Sequence, residues 1–449
     1  MNIAELYEVY RKCGGKVATD SRRIEGGELF FALRGENFDG NEYALKALEA
    51  GAAYAVVSKD SAVLNAGTCS AFSRLIPVED TLAALQALAR WHRSMTFVDG
   101  RPLPVIALTG TNGKTTTKEL VKAVLETGYR VTATEGNLNN SIGVPLTLLK
   151  IDGNTQVAVV EMGASHPGDI RELVSVALPT YGLITNVGKA HLLGFGSFDG
   201  VKAAKGELYD YLQRTADPAF VNADNAVLRD MASSRPDLKT ISYGLEYDGA
   251  EVLPSSAVFP YLRIRLRSGA VVETGLVGAY NADNVMAALA VGREFGIPEE
   301  KAVAAVSAYV PENSRSQMLK TASNVLIADA YNANPTSMAA ALDNLESIEA
   351  GRKAVMLGNM LELGEDSVRE HVSVIERLSH IGSLELTVLV GPEFRKALDG
   401  MGDSAPEGVK WFADSAEAAA YLKGNRPEGC CILIKGSRGS RMENVIPVL

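Results

Sequence analysis

The sequence predicts an α/β protein of three domains: a small N-terminal α/β unit, a central parallel sheet of the P-loop type, and a C-terminal Rossmann-like unit. Three observations lead there. Strand-like apolar runs alternate with helical stretches, the pattern of parallel sheets covered by helices on both faces. Two breaks, RPLP at 101–104 and PENSR at 311–315, divide the chain into 1–100, 101–311 and 312–449. The 449 residues, at about 150 per domain, leave room for three cores.

The elements follow in order. In the first unit NEYALKALEAGA (41–52) has helical periodicity, YAVVS (54–58) reads as a strand, and TLAALQALARWHRSM (81–95) is amphipathic. The central unit alternates VIALT, TTTKELVKAVLETG, VAVVEMG, DIRELVSVAL and YGLITNVG. Residues 241–280 read as alternating strands, and NADNVMAALAVGREFG (281–296) as a helix ended by its glycine. In the last unit VLIADAY, KAVMLGN, LTVLVG, VKWFA and CCILIKG alternate with helical segments, which suggests a second doubly wound sheet. No internal repeat and no low-complexity segment interrupts them.

Composition excludes several classes. Hydrophobic residues are 47% and charged residues 22% of the chain, which is globular rather than disordered. The net charge of −10, from 44 Lys and Arg against 54 Asp and Glu, comes without a long basic run, so no nucleic-acid partner is expected. Small phosphorylated ligands are not excluded. Cys13, Cys69, Cys430 and Cys431 have no metal-ligand spacing, and a reducing cytoplasm is the expected compartment. The opening MNIAELYEVYRK lacks the apolar region of an export signal, and no apolar run approaches bilayer length, so neither export nor membrane insertion is expected.

TGTNGKTTTKEL (109–120) carries the first chemistry. It resembles a phosphate-gripping loop with two residues missing, since only Thr111 and Asn112 separate Gly110 from the Gly113-Lys114-Thr115 end. A strand before it and a helix after it aim backbone N–H groups and a helix N-terminus at an anion. Lys114 then serves the outer phosphates and Thr115 a Mg2+ ion, with Gly110 to Thr116 as the cradle. The plain alternative is a glycine-rich turn with a surface lysine. Ligands gather at the carboxyl ends of strands in such sheets. Glu161 ends VAVVE, where a carboxylate in apolar company is costly unless a cation joins it, and His191 follows LITNVG. A histidine after a strand is more often a hydrogen-bonded structural residue; the company of Lys114, Thr115 and Glu161 argues for a ligand. His92 and His380 read as packing or surface residues. Lys205, in VKAAKGELYD, reads by itself as a solvated lysine on an amphipathic helix.

Taken together, TGTNGKTTTKEL, GNLNNSIGVPLTLL, VVEMGASHPGDI, NVGKAHLLGFGS, AAKGE, YNADN, ADAYNANPTSM, LGNMLELG and KGSRGSRME resemble the Mur ligases of peptidoglycan synthesis. The likeness begins at ATDSRRIEGGELFFALRGENFDG and runs nearly the whole chain; YNANPTSM with LGNMLELG narrows it to one member. It implies an ATP-dependent enzyme that joins D-alanyl-D-alanine to UDP-N-acetylmuramoyl-tripeptide. ATP phosphorylates a carboxylate, and an amine then displaces phosphate from the acyl phosphate. The short loop makes sense on this footing, because the γ-phosphoryl faces an anionic acceptor and needs cationic screening.

By the same resemblance Thr115 and Glu161 hold the nucleotide metal, His191 helps a second one, and Lys205 is carbamylated to become a carboxylate-like ligand. Asn281 and Asn284 come near the adenine, with helix capping as the structural alternative for Asn281. Arg315 reaches the ATP phosphates from the C-terminal domain, Asp329 holds the ribose, and Tyr331, Asn332 and Asn334 line that face. One departure stands there: the family commonly pairs two acids before this Ala-Tyr, and Ala328 replaces the first. Thr19, Asp20, Ser21 and Arg22 match the motif that receives the uridine end, with Asn37, Asp39 and Gly40 close by; read locally, DSRR before EGGE could be a turn. Asn139 and Asn140 are substrate contacts in the central domain, and Lys435, Ser437 and Arg438 face the dipeptide. Since loop and arginine lie in different domains, the C-terminal domain has to close onto the central one. Nothing demands association, so a monomer is expected. Two rivals remain: another ligase of the superfamily such as a folylpolyglutamate synthase, and a P-loop nucleotide switch that makes no bond.

Overall fold

The computed structural model describes residues 2–35, 37–66, 72–254, 260–311 and 317–449. Its N-terminal sheet holds β1 (Val17–Ala18), β2 (Leu29–Phe31), β3 (Tyr54–Ser58) and β4 (Leu75–Val78), paired in chain order and all parallel. The stretch 41–52 is only partly α-helical, because a 3-10 turn (Gly40–Tyr43) precedes the helix Ala44–Glu49. α1 (Ile3–Lys12) begins with an Asn2/Glu5 capping box, and Asp80 caps α2 (Thr81–Ser94) through the N–H groups of Leu82 and Ala83.

These two helices tie the first unit to the second. Leu85, Leu88 and Ala89 share one core cluster with Leu148, Ile170 and Leu173, and each fully buried leucine contributes about 1.5–3 kcal/mol. Tyr10 Oη donates to Leu149 O at 2.8 Å, and His92 Nε2 lies 2.7 Å from Ile151 O. Arg93 is 3% exposed and donates to the carbonyls of Ala177 and Leu178, closing the α-helix that ends there. His92 is therefore a packing residue, and His380 is exposed.

The central sheet orders its strands β6–β7–β5–β8–β9–β10, all parallel: β5 (Val105–Thr109), β6 (Val131–Ala133), β7 (Val157–Glu161), β8 (Tyr181–Ile184), β9 (Ala219–Asn222) and β10 (Thr240–Tyr243). β5 is flanked by β7 and β8, with Leu108 opposite both Glu161 and Leu183. The carboxyl ends of these three strands thus meet at one edge, under α3 (Lys114–Leu125), α4 (Asp169–Ala177) and α5 (Phe198–Thr215). An antiparallel sheet of β11 (Glu251–Leu253), β12 (Arg263–Arg265) and β13 (Val271–Glu273) and the helix α6 (Ala282–Glu294) complete the unit.

The C-terminal sheet runs β14–β15–β19–β16–β17–β18 and is parallel except at its edge: β14 (Gln317–Lys320) opposes β15 (Val325–Asp329), and β16 (Lys353–Gly358), β17 (Leu384–Val390), β18 (Lys410–Phe412) and β19 (Cys431–Lys435) follow the common direction. α7 (Pro335–Ser347) and α8 (Ser367–Leu378) cover the face toward the central domain. Among the described residues no helix is long and apolar enough to cross a membrane.

Candidate active site

The turn from β5 into α3 is shaped by two glycines. Gly110 has φ +148°, and a Cβ there would stand 1.9 Å from Thr185 Oγ1. Gly113 precedes the helix at φ +77°, and a Cβ would stand 2.4 Å from Asn284 Oδ1. The turn can pack this closely against Thr185 and Asn284 only because both side chains are missing. The loop is held from behind by Asn186, whose Oδ1 accepts Asn112 N–H at 2.9 Å and whose Nδ2 donates to Asn112 O at 3.0 Å. Thr185 Oγ1 donates to the same carbonyl at 2.6 Å. Lys114 folds over the loop, donating to Gly110 O at 2.8 Å and Thr111 O at 3.0 Å.

Glu161 sits one strand away and is 1% exposed. Its partners are neutral: Thr115 Oγ1 donates at 2.9 Å and Asn139 Nδ2 at 2.8 Å. Thr134 Oγ1 accepts the Glu161 N–H at 2.9 Å, and the fully buried Lys118 donates to Thr134 O at 2.5 Å. A buried carboxylate whose donors among the described residues are all neutral is a site suited to a cation.

Lys205 departs from the reading of a solvated helix lysine. The side of α5 that carries it packs inward, leaving it 2% exposed with Nζ 5.5 Å from the centre of the Phe195 ring. Burial first, and then the charge of Lys114, push its pKa down to about 7. His191 has a left-handed backbone, φ +51°, and its ring stands edge-on to Phe195 at 6.3 Å. Burial is the main cause of its lowered pKa, and Lys114 and Lys205 add to it while Glu362 opposes.

On α6 Asn281 does not cap the helix. Its Nδ2 donates to Val277 O at 2.8 Å and its Oδ1 accepts from Asn284 Nδ2 at 2.9 Å, while Thr117 Oγ1 donates to Asn284 Oδ1 at 3.0 Å. The two asparagines are thereby locked to the loop helix.

The C-terminal domain supplies the opposite wall. Asp329 and Lys435 face each other across the β15–β19 register and form an ion pair, and Lys435 Nζ also donates to Asn332 O at 3.1 Å. Lys435, expected at the dipeptide, lines the cavity and is also the 1%-exposed counter-ion of Asp329. Ser437 is a tie rather than a wall: its Oγ accepts from Leu361 N–H and donates to Ala333 O, and it does not line the cavity. Arg438 stacks over Tyr331 at 5.7 Å. Asn334 Nδ2 donates across the domain boundary to Asn112 Oδ1 at 2.8 Å.

One cavity of about 1000 Å³ joins these parts. Gly110 to Thr116, Asn139, Asn140, Glu161, His191, Lys205, Asn281, Asn284, Asp329, Tyr331, Asn332, Asn334, Lys435 and Arg438 all line it. Arg315 lies outside the described residues.

The whole chain has counterparts of this arrangement. Residues 16–93 match the model described as Mur ligase family, catalytic domain, 108–292 the Mur ligase middle domain, and 314–438 the Mur ligase, glutamate ligase domain. The UDP-N-acetylmuramoyl-tripeptide--D-alanyl-D-alanine ligase of Bacillus subtilis is 36% identical over 444 residues, 96% of this chain and 92% of that one. This chain belongs to the Mur ligase family. The enzyme of the same name from Escherichia coli is 33% identical over 444 residues, 96% of this chain and 93% of that one. A crystal structure of MurF from Acinetobacter baumannii superposes with a TM-score of 0.82 at 29% identity, covering 98% of this chain and 97% of that one.

In this Mur ligase none of Thr19, Asp20, Ser21, Arg22, Asn37, Asp39 and Gly40 lines the cavity. DSRR does make a turn: Asp20 accepts Arg22 N–H at 3.0 Å and caps the 3-10 segment Ser21–Arg23. The Arg22 guanidinium bonded to Asp20 holds its carboxyl at about 2. Asp39 accepts from Asn41 N–H at 2.9 Å and Arg34 Nε at 3.2 Å. Sequence reasoning missed Thr185 and Asn186, although their place just past a strand end was a usable signal, and Glu362, although it lies within the LGNMLELG motif.

Proposed function

We propose that this chain is an ATP-dependent ligase that joins D-alanyl-D-alanine to UDP-N-acetylmuramoyl-tripeptide in peptidoglycan precursor synthesis. The observation that carries this reading is the single cavity in which an anion cradle, a buried carboxylate, a low-pKa lysine and a second domain's polar wall converge. The names borne by its relatives agree with it.

The chemistry follows from charge. A carboxylate is a poor acyl donor, so its oxygen attacks the γ-phosphorus of ATP, ADP departs, and an acyl phosphate remains. The dipeptide amine then adds to the carbonyl, loses a proton, and expels phosphate. Lys114 and the N–H groups of the 110–116 loop bind and screen the phosphates. Asn281 and Asn284 fit the base end, and Asp329, Tyr331, Asn332 and Asn334 the ribose side. Asn139, Asn140 and Arg438 fit the acceptor side, and Thr19 to Arg22 with Asn37, Asp39 and Gly40 the uridine end. Arg315 is assigned to the phosphates.

Mg2+ suits the donors on hand. Among the described residues no cluster of three or more His, Cys, Asp and Glu side chains is assembled for a metal. An ion that keeps waters and phosphate oxygens and takes one or two protein ligands matches Thr115 and Glu161, and would neutralise charge between two approaching anions. His191 and Lys205 are the residues for a second ion, with Lys205 as its carbamate. A buried amine with a pKa near 7 is largely neutral at cytoplasmic pH, and only the neutral amine adds to CO2.

The test is phosphate release from ATP with UDP-muramoyl tripeptides carrying diaminopimelate or lysine, with D-alanyl-D-alanine, each component omitted in turn. Turnover should require both tripeptide and dipeptide. ATP consumption that ignores the dipeptide would refute the proposal.

A further inference from the structure

The loop 186–193 that carries His191 is held by the C-terminal domain at several points. Lys189 Nζ pairs with Glu370 at 2.8 Å, Lys189 N–H donates to Thr336 Oγ1 at 3.2 Å, and Leu193 N–H donates to Glu362 O at 3.2 Å. At the centre of these contacts the Glu362 carboxylate lies against His191 Nδ1, a buried atom with no hydrogen-bond partner among the described residues.

Both partners hold uncommon backbone. His191 has φ +51° and Glu362 φ +63°, in a region that costs non-glycine residues about 1–3 kcal/mol and persists where the surroundings impose it. For Glu362 the surroundings are visible. The N–H just before it in the chain, that of Leu361, bonds Ser437 Oγ at 3.0 Å, and the one before that, of Met360, bonds His371 Nε2 at 3.0 Å. His371 and Ser437 are 0% and 3% exposed. The turn that presents the carboxylate is therefore built from the inside of the C-terminal domain, while the carboxylate itself stands at the rim with 58% of its side chain exposed. A rim charge that only needed solvent would not require this support.

Glu362 reaches Nδ1 from the C-terminal domain, and Lys114 and Lys205 line the cavity that His191 lines. A proton on Nδ1 is favoured by the carboxylate, and a bare Nε2 is favoured where cations gather. A histidine whose second nitrogen is held by a carboxylate is oriented and more basic as a ligand.

We propose that Glu362 is a positioning residue for His191, fixing its ring with Nδ1 protonated and Nε2 presented to the cavity, so that docking of the C-terminal domain completes a ligand of the central one. The proposal rests on the functional reading above only for what Nε2 meets. The orientation itself can be measured on the chain with no metal added.

The experiment uses full-length chain with 15N-labelled histidine, at a pH where His191 is neutral, with His191→Gln locating its signals. Wild type should display the Nδ1–H form, and Glu362→Ala should turn it into a mixture of tautomers with an unchanged thermal midpoint. In the ligase assay Glu362→Ala should raise the half-saturating Mg2+ concentration about 10–100-fold, with the tripeptide KM nearly unchanged, and Glu362→Gln, which still accepts a hydrogen bond, should fall between. An unaltered His191 spectrum in Glu362→Ala would overturn the proposal, as would equal loss in every kinetic constant. If wild type holds the Nδ1–H form yet forms no peptide bond, the positioning stands and the proposed reaction fails.

Discussion

Replacing Lys205 by methionine separates the energetic cost of the site from its chemistry. The side chain is 2% exposed, and its pKa is lowered from 10.5 to about 7. At pH 7.5 an ordinary lysine is neutral in about 0.1% of molecules and this one in about three quarters, a gain of several hundredfold in amine able to take up CO2. The same displacement costs stability. Between about pH 7 and 10.5 the unfolded chain binds the proton that the folded chain has released, so stability rises with pH across that window, and the full penalty is present below it. The drop corresponds to at most about 5 kcal/mol, and refilling the space with methionine returns about 1.5 kcal/mol or less of this gain. Lys205→Met should therefore be more stable than wild type by a few kcal/mol near pH 6.5 in CO2-free buffer, with the gain shrinking toward pH 10. Urea unfolding at several pH values measures it, and peptide-bond formation should fall by orders of magnitude in the same variant. A 13C-carbamate signal from labelled bicarbonate should be present in wild type and lost in the variant. Equal stability at low pH would refute the buried-charge argument, and retained activity would refute the role of the lysine.

Gly110→Ala places a Cβ 1.9 Å from Thr185 Oγ1 at a backbone angle that side chains avoid; it should lower stability by about 1–3 kcal/mol and abolish ATP turnover, checked by thermal melts and phosphate release. Arg315→Ala should impair turnover far more than binding of the uridine substrate, so kcat should drop while calorimetric affinity for UDP-muramoyl tripeptide holds; equal losses would count against closure. Arg22→Ala should do the reverse, weakening the uridine substrate about tenfold while leaving the KM for ATP alone, because its turn stands outside the cavity.

Much of this was legible in the chain. VIALT, VAVVE and the run through YGLI became the three adjacent strands β5, β7 and β8, because apolar period and flanking helices are local properties that each segment carries wherever it packs. The loop TGTNGKTTT was legible for the same reason: its glycines, lysine and threonine act within a single turn and a half of backbone. Glu161 was visible as a carboxylate ending an apolar strand. The 41–52 stretch was read as one helix, but it opens within a 3-10 turn, Gly40–Tyr43, whose Asn41 N–H the Asp39 side chain caps.

Other features had no local signature. Lys205 lies on an amphipathic stretch, and its burial depends on Phe195 and on the helices packed against α5. Asp329 and Lys435 are 106 residues apart and meet because β15 and β19 are neighbours in register. Asn112 meets Asn334 across 222 residues, and His191 meets Glu362 only through domain docking. By itself the sequence determined the elements, the anion cradle and the family resemblance, all written in short-range spacing. Which charges are desolvated and which are paired was decided by tertiary structure, since desolvation and Coulomb energy depend on what remote segments bring within a few ångströms.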